Sequence, residues 1–338
     1  MKRMQKQMVR LFPLATVAAA AAGLALGLAS PATAADKVHL QTDWIPSGEH
    51  AMYFAGWSKG FWADEGIDIN ITRGYGSGDT VTKVGGGAAD FGVADIGALL
   101  TARARTGMPV KVIMQLYTHS PHSLFVLKSS GITTFKGLEG KKIGITPGNS
   151  HRVYFPKVAE RAGTDPEKIV WVNTDAAAMA ALLISKKIDA APFFAMHHYY
   201  QNKAATQAGE EIVVLPFVET GFAIYATGLI ARDDTIEKNP DLVHRFLKAT
   251  QRAFKWANEN REEACALHVK RVPEVAVDDC MGSINATMTF VFNEHAEKTG
   301  LGKHDPERLK FTYENLAQAQ ELDPKWDYSQ GIDLRFVP

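Results

Sequence analysis

The 338 residues contain only two cysteines, Cys265 and Cys280, and no pattern around either marks a catalytic thiol. Reading 261–270 as one helix and 273–281 as the start of the next leaves two possibilities open. The pair forms a disulfide, or it is a pair of buried thiols. An excess of charge of one sign is missing too: 37 Lys and Arg balance 37 Asp and Glu. There is no low-complexity run and no internal repeat. The glycine-rich turn Gly74-Tyr75-Gly76-Ser77-Gly78 lacks a following Gly-Lys-Ser/Thr, so it is not a phosphate loop. What remains is ordinary globular composition, 46% hydrophobic and 22% charged, with length for two domains or one large one.

The N-terminus carries the clearest positive signal. Lys2, Arg3, Lys6 and Arg10 precede an apolar stretch over 11–28, and Ser30-Pro31-Ala32-Thr33-Ala34-Ala35 supplies small residues at the cleavage positions. Basic, apolar, then Ala-x-Ala predicts a secretory signal over 1–34, cut after Ala34. A membrane anchor is the rival, but the stretch is rich in Ala and Gly and ends without basic residues. No cysteine stands at the cut to take a lipid. No Arg-Arg pair precedes the apolar stretch, which favours the general secretory route. The expected location is a Gram-negative periplasm. Cleavage takes four of the 37 basic residues and none of the 37 acidic ones, leaving a net charge of −4. Nucleic acid is therefore not an expected partner. No second apolar run is long enough to span a membrane.

Strands over 37–42, 67–71, 91–94, 110–116 and 124–127 alternate with helices over 51–65, 80–86 and 98–106. A second series has strands over 142–145, 169–173, 190–194 and 211–215. This alternation predicts an α/β fold with mostly parallel strands. A β-rich run over 222–231 returns the chain, and 240–258 is an amphipathic helix. The expected organisation is a first lobe of 35–128 plus about 226–338, a second lobe of 129–225, and a hinge and cleft between them.

Six stretches in order resemble one family. They are Asp43-Trp44-Ile45-Pro46 with His50; Ser58-Lys59-Gly60-Phe61-Trp62 with Glu65-Gly66-Ile67-Asp68; Ala89-Asp90-Phe91-Gly92-Val93; Leu138-Glu139-Gly140-Lys141-Lys142-Ile143-Gly144; Ile188-Asp189-Ala190; and Asn239-Pro240-Asp241-Leu242-Val243. Over about residues 37–265 the chain is similar to the NMT1/THI5-like, thiamine-pyrimidine branch of ABC-transporter solute-binding proteins. Sulfonate, taurine and nitrate binders are its cousins. The resemblance implies a two-lobe type II periplasmic-binding-protein fold that closes on a solute and passes it to inner-membrane permease subunits. It implies no enzymatic activity and no cofactor in the transport members, and a monomer is expected. The fungal pyrimidine synthases of the family resemble this chain around Trp44 and His50, where the histidine serves chemistry. Their cysteine-rich run would fall near 220–225, where this chain has Thr-Gly-Phe-Ala-Ile-Tyr. The alternatives to a receptor are a pyrimidine-precursor synthase and an exported sensor subunit.

Ligands of open α/β lobes sit beyond the carboxyl ends of strands. That rule selects Asp43, Trp44 and His50 after the first strand, with Trp44 as a stacking ring and Asp43 as an acceptor. The alternative places Trp44 in the core and Asp43 at a helix cap. Tyr75 and Ser77 lie on the glycine turn, where backbone N–H groups suit an anion. Asp95, Tyr117 and His119 end further strands. Asn149 and Ser150 open a helix in the second lobe, Phe193 and Phe194 offer aromatic walls, Glu219 suits a cation, and Tyr225 stands on the hinge. Adjacent His197 and His198 lack the spacing of metal ligands, so no metal is expected. The expected solute is small and flat or anionic. An aromatic or heterocyclic one, such as a thiamine-precursor pyrimidine, is the first choice.

Overall fold

Ten strands form in chain order in the computed structural model, which describes residues 34–338. The expected leader lies outside the described residues. The strands are β1 (Asp36–Gln41), β2 (Ile67–Thr72), β3 (Phe91–Asp95), β4 (Val110–Gln115), β5 (His122–Leu127), β6 (Lys142–Ile145), β7 (Val170–Asn173), β8 (Ala190–Phe194), β9 (Ile212–Pro216) and β10 (Thr227–Arg232). They make two five-stranded sheets, ordered β2-β1-β3-β10-β4 and β7-β6-β8-β5-β9. In each sheet four strands point the same way and one strand, β10 or β5, pairs antiparallel on both sides.

Local sequence explains much of this. In β2, Ile67, Ile69 and Ile71 face the core while Asp68 and Asn70 face solvent, as expected of an edge strand with one covered face. Helix Pro240–Glu259 buries Val243, Phe246, Leu247, Ala253 and Phe254 along one face. Its Phe246 stacks on Phe91 of β3 with ring centroids 3.9 Å apart.

Three expectations are corrected. Strand β5 belongs to the second sheet, so the chain leaves the first sheet before His122, not near residue 128. The helix expected over 51–65 ends at Ser58; Gly60 takes a left-handed φ of 75°, and a short 3-10 turn follows at Ala63–Glu65. Of the β-rich run over 222–231 the strand begins only at Thr227 and runs to Arg232, while Phe222 and Ile224 are buried along the crossing without ladder pairing.

The two crossings, β4 to β5 and β9 to β10, lie side by side. Leu116 and Tyr117 N–H groups donate to the Thr227 carbonyl at 3.1 and 2.9 Å. The Gln115 amide donates to the carbonyls of Tyr117 and Thr227, at 2.9 and 3.0 Å, fastening both crossings. A third tie comes from helix Pro306–Gln320, whose Gln320 side chain donates to the Val153 carbonyl at 2.7 Å. One apolar cluster runs through both sheets, joining Val81 and Leu99 to Leu124, Ile143, Tyr154 and Leu309. Cys265 and Cys280 are joined in a disulfide, with Cα atoms 5.7 Å apart, which decides between the two options the sequence left open.

Candidate functional site

Beyond β1 the chain turns through Asp43 and Trp44, and backbone strapping fixes that turn. Gly74 and Gly76 N–H groups donate to the carbonyls of Trp44 and Asp43 at 3.1 and 2.8 Å. Gly76, with φ 125°, is the cap of helix Ser77–Gly85. From the other sheet, the loop after β6 leads to helix His151–Arg161. The two loops touch at glycines: Gly78 N–H donates to the Gly148 carbonyl at 2.9 Å. A Cβ on Gly76 would stand only 3.0 Å from that same oxygen.

A pocket lies between these loops and the end of β8. Asp43, Trp44, Ser77, Asn149, Ser150, Phe193 and Phe194 line it, together with Gly76, His151, Pro192 and His197. Its free space is about 20 Å³, room for about one water and far short of the ~150 Å³ that takes a benzene-sized ring. No lysine or arginine stands in the lining. Two of the backbone N–H groups beside the pocket are engaged already. Gly78 N–H is bonded to Gly148, and His151 N–H donates to Asn149 Oδ1 at 3.0 Å. Burial pushes His151 down to about 3, so its ring is neutral.

A buried network stands behind Asp43. Nε2 of His50 donates to Asp43 Oδ1 at 3.3 Å, and the Ser47 N–H donates to His50 Nδ1 at 3.3 Å. His197 Nε2 donates to Glu49 Oε1 at 2.8 Å. Burial raises the Asp43 carboxyl above its ordinary range, the His50 bond offsetting only part of this. Burial alone would push Glu49 up and His50 down, but attraction to His197 and then to His50 holds Glu49 low, and Glu49 with the Asp43 bond holds His50 high. His197 Nδ1 is buried with no hydrogen-bond partner among the described residues, on a ring that lines the pocket. A buried polar atom without a partner is costly, and a solute group would relieve it.

The other expected residues fall elsewhere. His50 stands behind Asp43 and does not line the pocket. Asp43 caps no helix; Ser47 caps the turn Gly48–His50. Tyr75 is exposed, with the Arg73 guanidinium 4.5 Å from its ring centroid. Tyr117 packs edge-on against Phe194, and His119 against Phe290, both outside the pocket lining. Glu219 is exposed on the turn Phe217–Thr220. Tyr225 is buried at the second crossing, its hydroxyl bonded to His295 Nε2 at 2.8 Å. His151 opens the same helix as Asn149 and Ser150, while sequence reasoning missed Pro192 and His197 as lining residues. The strand-end rule singled out Phe193 and Phe194 and pointed to this same segment.

Asp95 caps helix Ile96–Thr106 and ties the halves together. Its Oδ1 accepts from Gly97 N at 2.8 Å and from the Tyr154 hydroxyl at 2.7 Å. Oδ2 has no partner and lies 3.6 Å from His122 Nε2. Burial pushes Asp95 up from 3.8 to about 7, so the folded state favours its protonated form. A raised folded pKa gives stability that is complete below the unfolded value and is lost as pH rises from about 4 through about 7. We expect Asp95→Asn to flatten this slope, at most about 1.4 kcal/mol per pH unit for one group. Urea unfolding of both proteins across pH 4.5–8 reads it; parallel slopes would remove Asp95 from the account.

Two α/β halves with paired crossings and a cleft between strand ends define the periplasmic-binding-protein fold. The chain belongs to the NMT1/THI5-like family, whose model matches residues 47–264. It is similar to the riboflavin-binding protein RibY of Chloroflexus aurantiacus, at 28% identity over 89% of this chain and 86% of that one. It is also similar to the 4-amino-5-hydroxymethyl-2-methylpyrimidine phosphate synthase of Legionella pneumophila, at 25% identity over 89% and 92%. Among solved structures, the alkanesulfonate-binding protein SsuA of Xanthomonas axonopodis pv. citri shares the fold. Its TM-score is 0.70 at 14% identity, covering 88% of this chain and 98% of that one.

Proposed function

We propose that this protein is a periplasmic receptor of an ABC importer. It holds a flat nitrogen heterocycle, neutral or cationic, between Trp44 and Phe193. The observation that carries the reading is that Asp43 and His197, whose Nδ1 is unpartnered, line one pocket without lysine or arginine. A raised carboxyl and an imidazole suit the N–H and ring-nitrogen edge of a heterocycle. A sulfonate or nitrate would meet no lysine or arginine there, and burying a charge without such a partner is expensive. The anionic solute allowed by the sequence is therefore set aside. The free space of about 20 Å³ means that the solute enters with the cleft open and separates Trp44 from Phe193 when bound.

The relatives' names supply two heads to test: the flavin ring and the aminopyrimidine. A synthase reading has the pyrimidine synthases among the relatives in its favour. Against it stand the missing cysteine run at 220–225 and the placement of His50 behind Asp43, away from the pocket lining. Titration calorimetry with riboflavin, 4-amino-5-hydroxymethyl-2-methylpyrimidine, taurine and nitrate tests the proposal. One of the heterocycles binds at one per chain and the anions do not. Preference for an anion would contradict it.

Trp44→Ala is expected to weaken binding several-fold, about 1 kcal/mol or more for a lost stacking partner. Trp326, which packs on Tyr313 far along the chain, serves as control. Trp326→Ala leaves affinity unchanged in the same titration; equal losses would take Trp44 out of the site.

A further inference from the structure

A second cavity, about 220 Å³ in free volume, adjoins the pocket and shares Trp44 and Phe193 with it as walls. We infer that this cavity is the subsite for an arm of the solute that is rich in hydrogen-bond donors and carries no negative charge. The inference rests on the heterocycle reading above and names the second part of that molecule.

Volume is the first argument. The pocket beside Asp43 has almost no free space, whereas the adjoining cavity has about eleven times as much, the ratio of the two volumes. A solute whose ring parts Trp44 from Phe193 reaches this space directly. The second argument is placement. Trp44–Gly48 and Glu274–Asp279 contribute from the part of the chain that builds the first sheet, Ala176–Ala180 and Tyr200–Gln201 from the part that builds the second. Lys203 draws the same two parts together, donating to Asp278 and Asp279 at 2.7 and 2.8 Å. An arm in this cavity is therefore gripped by the closing movement.

Lining chemistry gives the class. Glu274 and Asp279 bring carboxylates, and Ser47, Tyr200 and Gln201 bring hydroxyl and amide groups. Lysine and arginine are absent from the lining, and the nearby Lys203 ammonium is committed to its two aspartates. With Asp279 paired to Lys203, Glu274 is the lining carboxylate without a cation among the described residues; together with the hydroxyl and amide oxygens it receives hydroxyl or ammonium donors and disfavours phosphate and carboxylate. Three alanines, Ala176, Ala177 and Ala180, keep the space open.

Matched probes test this by fluorescence or calorimetric titration. The flavin series is lumichrome (ring alone), riboflavin (hydroxylated arm) and riboflavin 5′-phosphate. The pyrimidine series is 4-amino-5-hydroxymethyl-2-methylpyrimidine, thiamine (cationic arm) and thiamine pyrophosphate. In the series whose ring binds, the uncharged or cationic arm is expected to tighten binding at least tenfold over the ring alone. Adding phosphate to it reverses the gain. Ala180→Leu, which fills the cavity, is expected to bring the arm's advantage within twofold. A ring that binds equally well with and without its arm overturns the inference and leaves the heterocycle reading standing. Tighter binding of the phosphorylated arm overturns it as well. Failure of every ring to bind removes the heterocycle reading, and the subsite with it.

Discussion

Asp43→Ala is expected to weaken solute binding by 10- to 100-fold while the protein stays folded. The loss corresponds to a hydrogen bond to a charged or strongly polarised group, about 1.5–3 kcal/mol. Two features isolate the effect to the side chain. The Asp43 carbonyl, which accepts the Gly76 N–H at 2.8 Å, survives the substitution, so the strap between the two loops is kept. His50 loses its partner at Nε2 but keeps the bond from Ser47 N–H. Asp43→Asn separates shape from chemistry, because it keeps the volume and presents a donor where an acceptor stood. Affinity of both variants by titration calorimetry, with circular dichroism as a fold control, decides the matter. Wild-type affinity in Asp43→Ala would remove the acceptor from the recognition model.

Removing the Cys265–Cys280 bridge is expected to cost about 3 kcal/mol of stability, the entropy of a loop of roughly this length. The two cysteines are 15 residues apart in sequence and join helix Arg261–Arg271 to helix Val277–Val291. Both are fully buried. The second helix bears directly on the site loop: a Cβ on Gly48 would run into the Cys280 carbonyl oxygen. Loosening that helix therefore disturbs the loop that carries Ser47 and His50. Comparing wild type with the double Cys265→Ala, Cys280→Ala variant in thermal unfolding, we expect a midpoint lower by several degrees and weaker solute binding. Unchanged midpoints would mean that the bridge adds nothing to the packing around it.

Elements whose signal is local were legible in the sequence. The strand over 142–145 and the strand over 190–194 match β6 and β8 at both ends, because short apolar runs there are bounded by turn residues. The sheet to which β5 belongs was not legible. Its residues are buried throughout, so no alternation marks a face, and its pairing with β8 and β9 is set across the chain. The helix over 51–65 was overdrawn because Phe61 and Trp62 continue the apolar spacing after the backbone has left the helix. At the site, the strand-end rule reached Asp43, Trp44, Phe193 and Phe194. It also reached Asp95, which sits at a strand end to cap a helix and bond Tyr154. His197 was noticed only as a poor metal ligand. Its role depends on Glu49 occupying one ring nitrogen and leaving the other free, a pairing of residues 148 positions apart.

Recovery of the solute after binding tests the central claim most directly. The purified protein is saturated with the heterocycle that titrates at one per chain, then denatured, and both components are weighed by mass spectrometry. A receptor returns the solute chemically unchanged and a chain of unaltered mass. An altered solute, or a chain of altered mass, would contradict the account and point to the synthase reading.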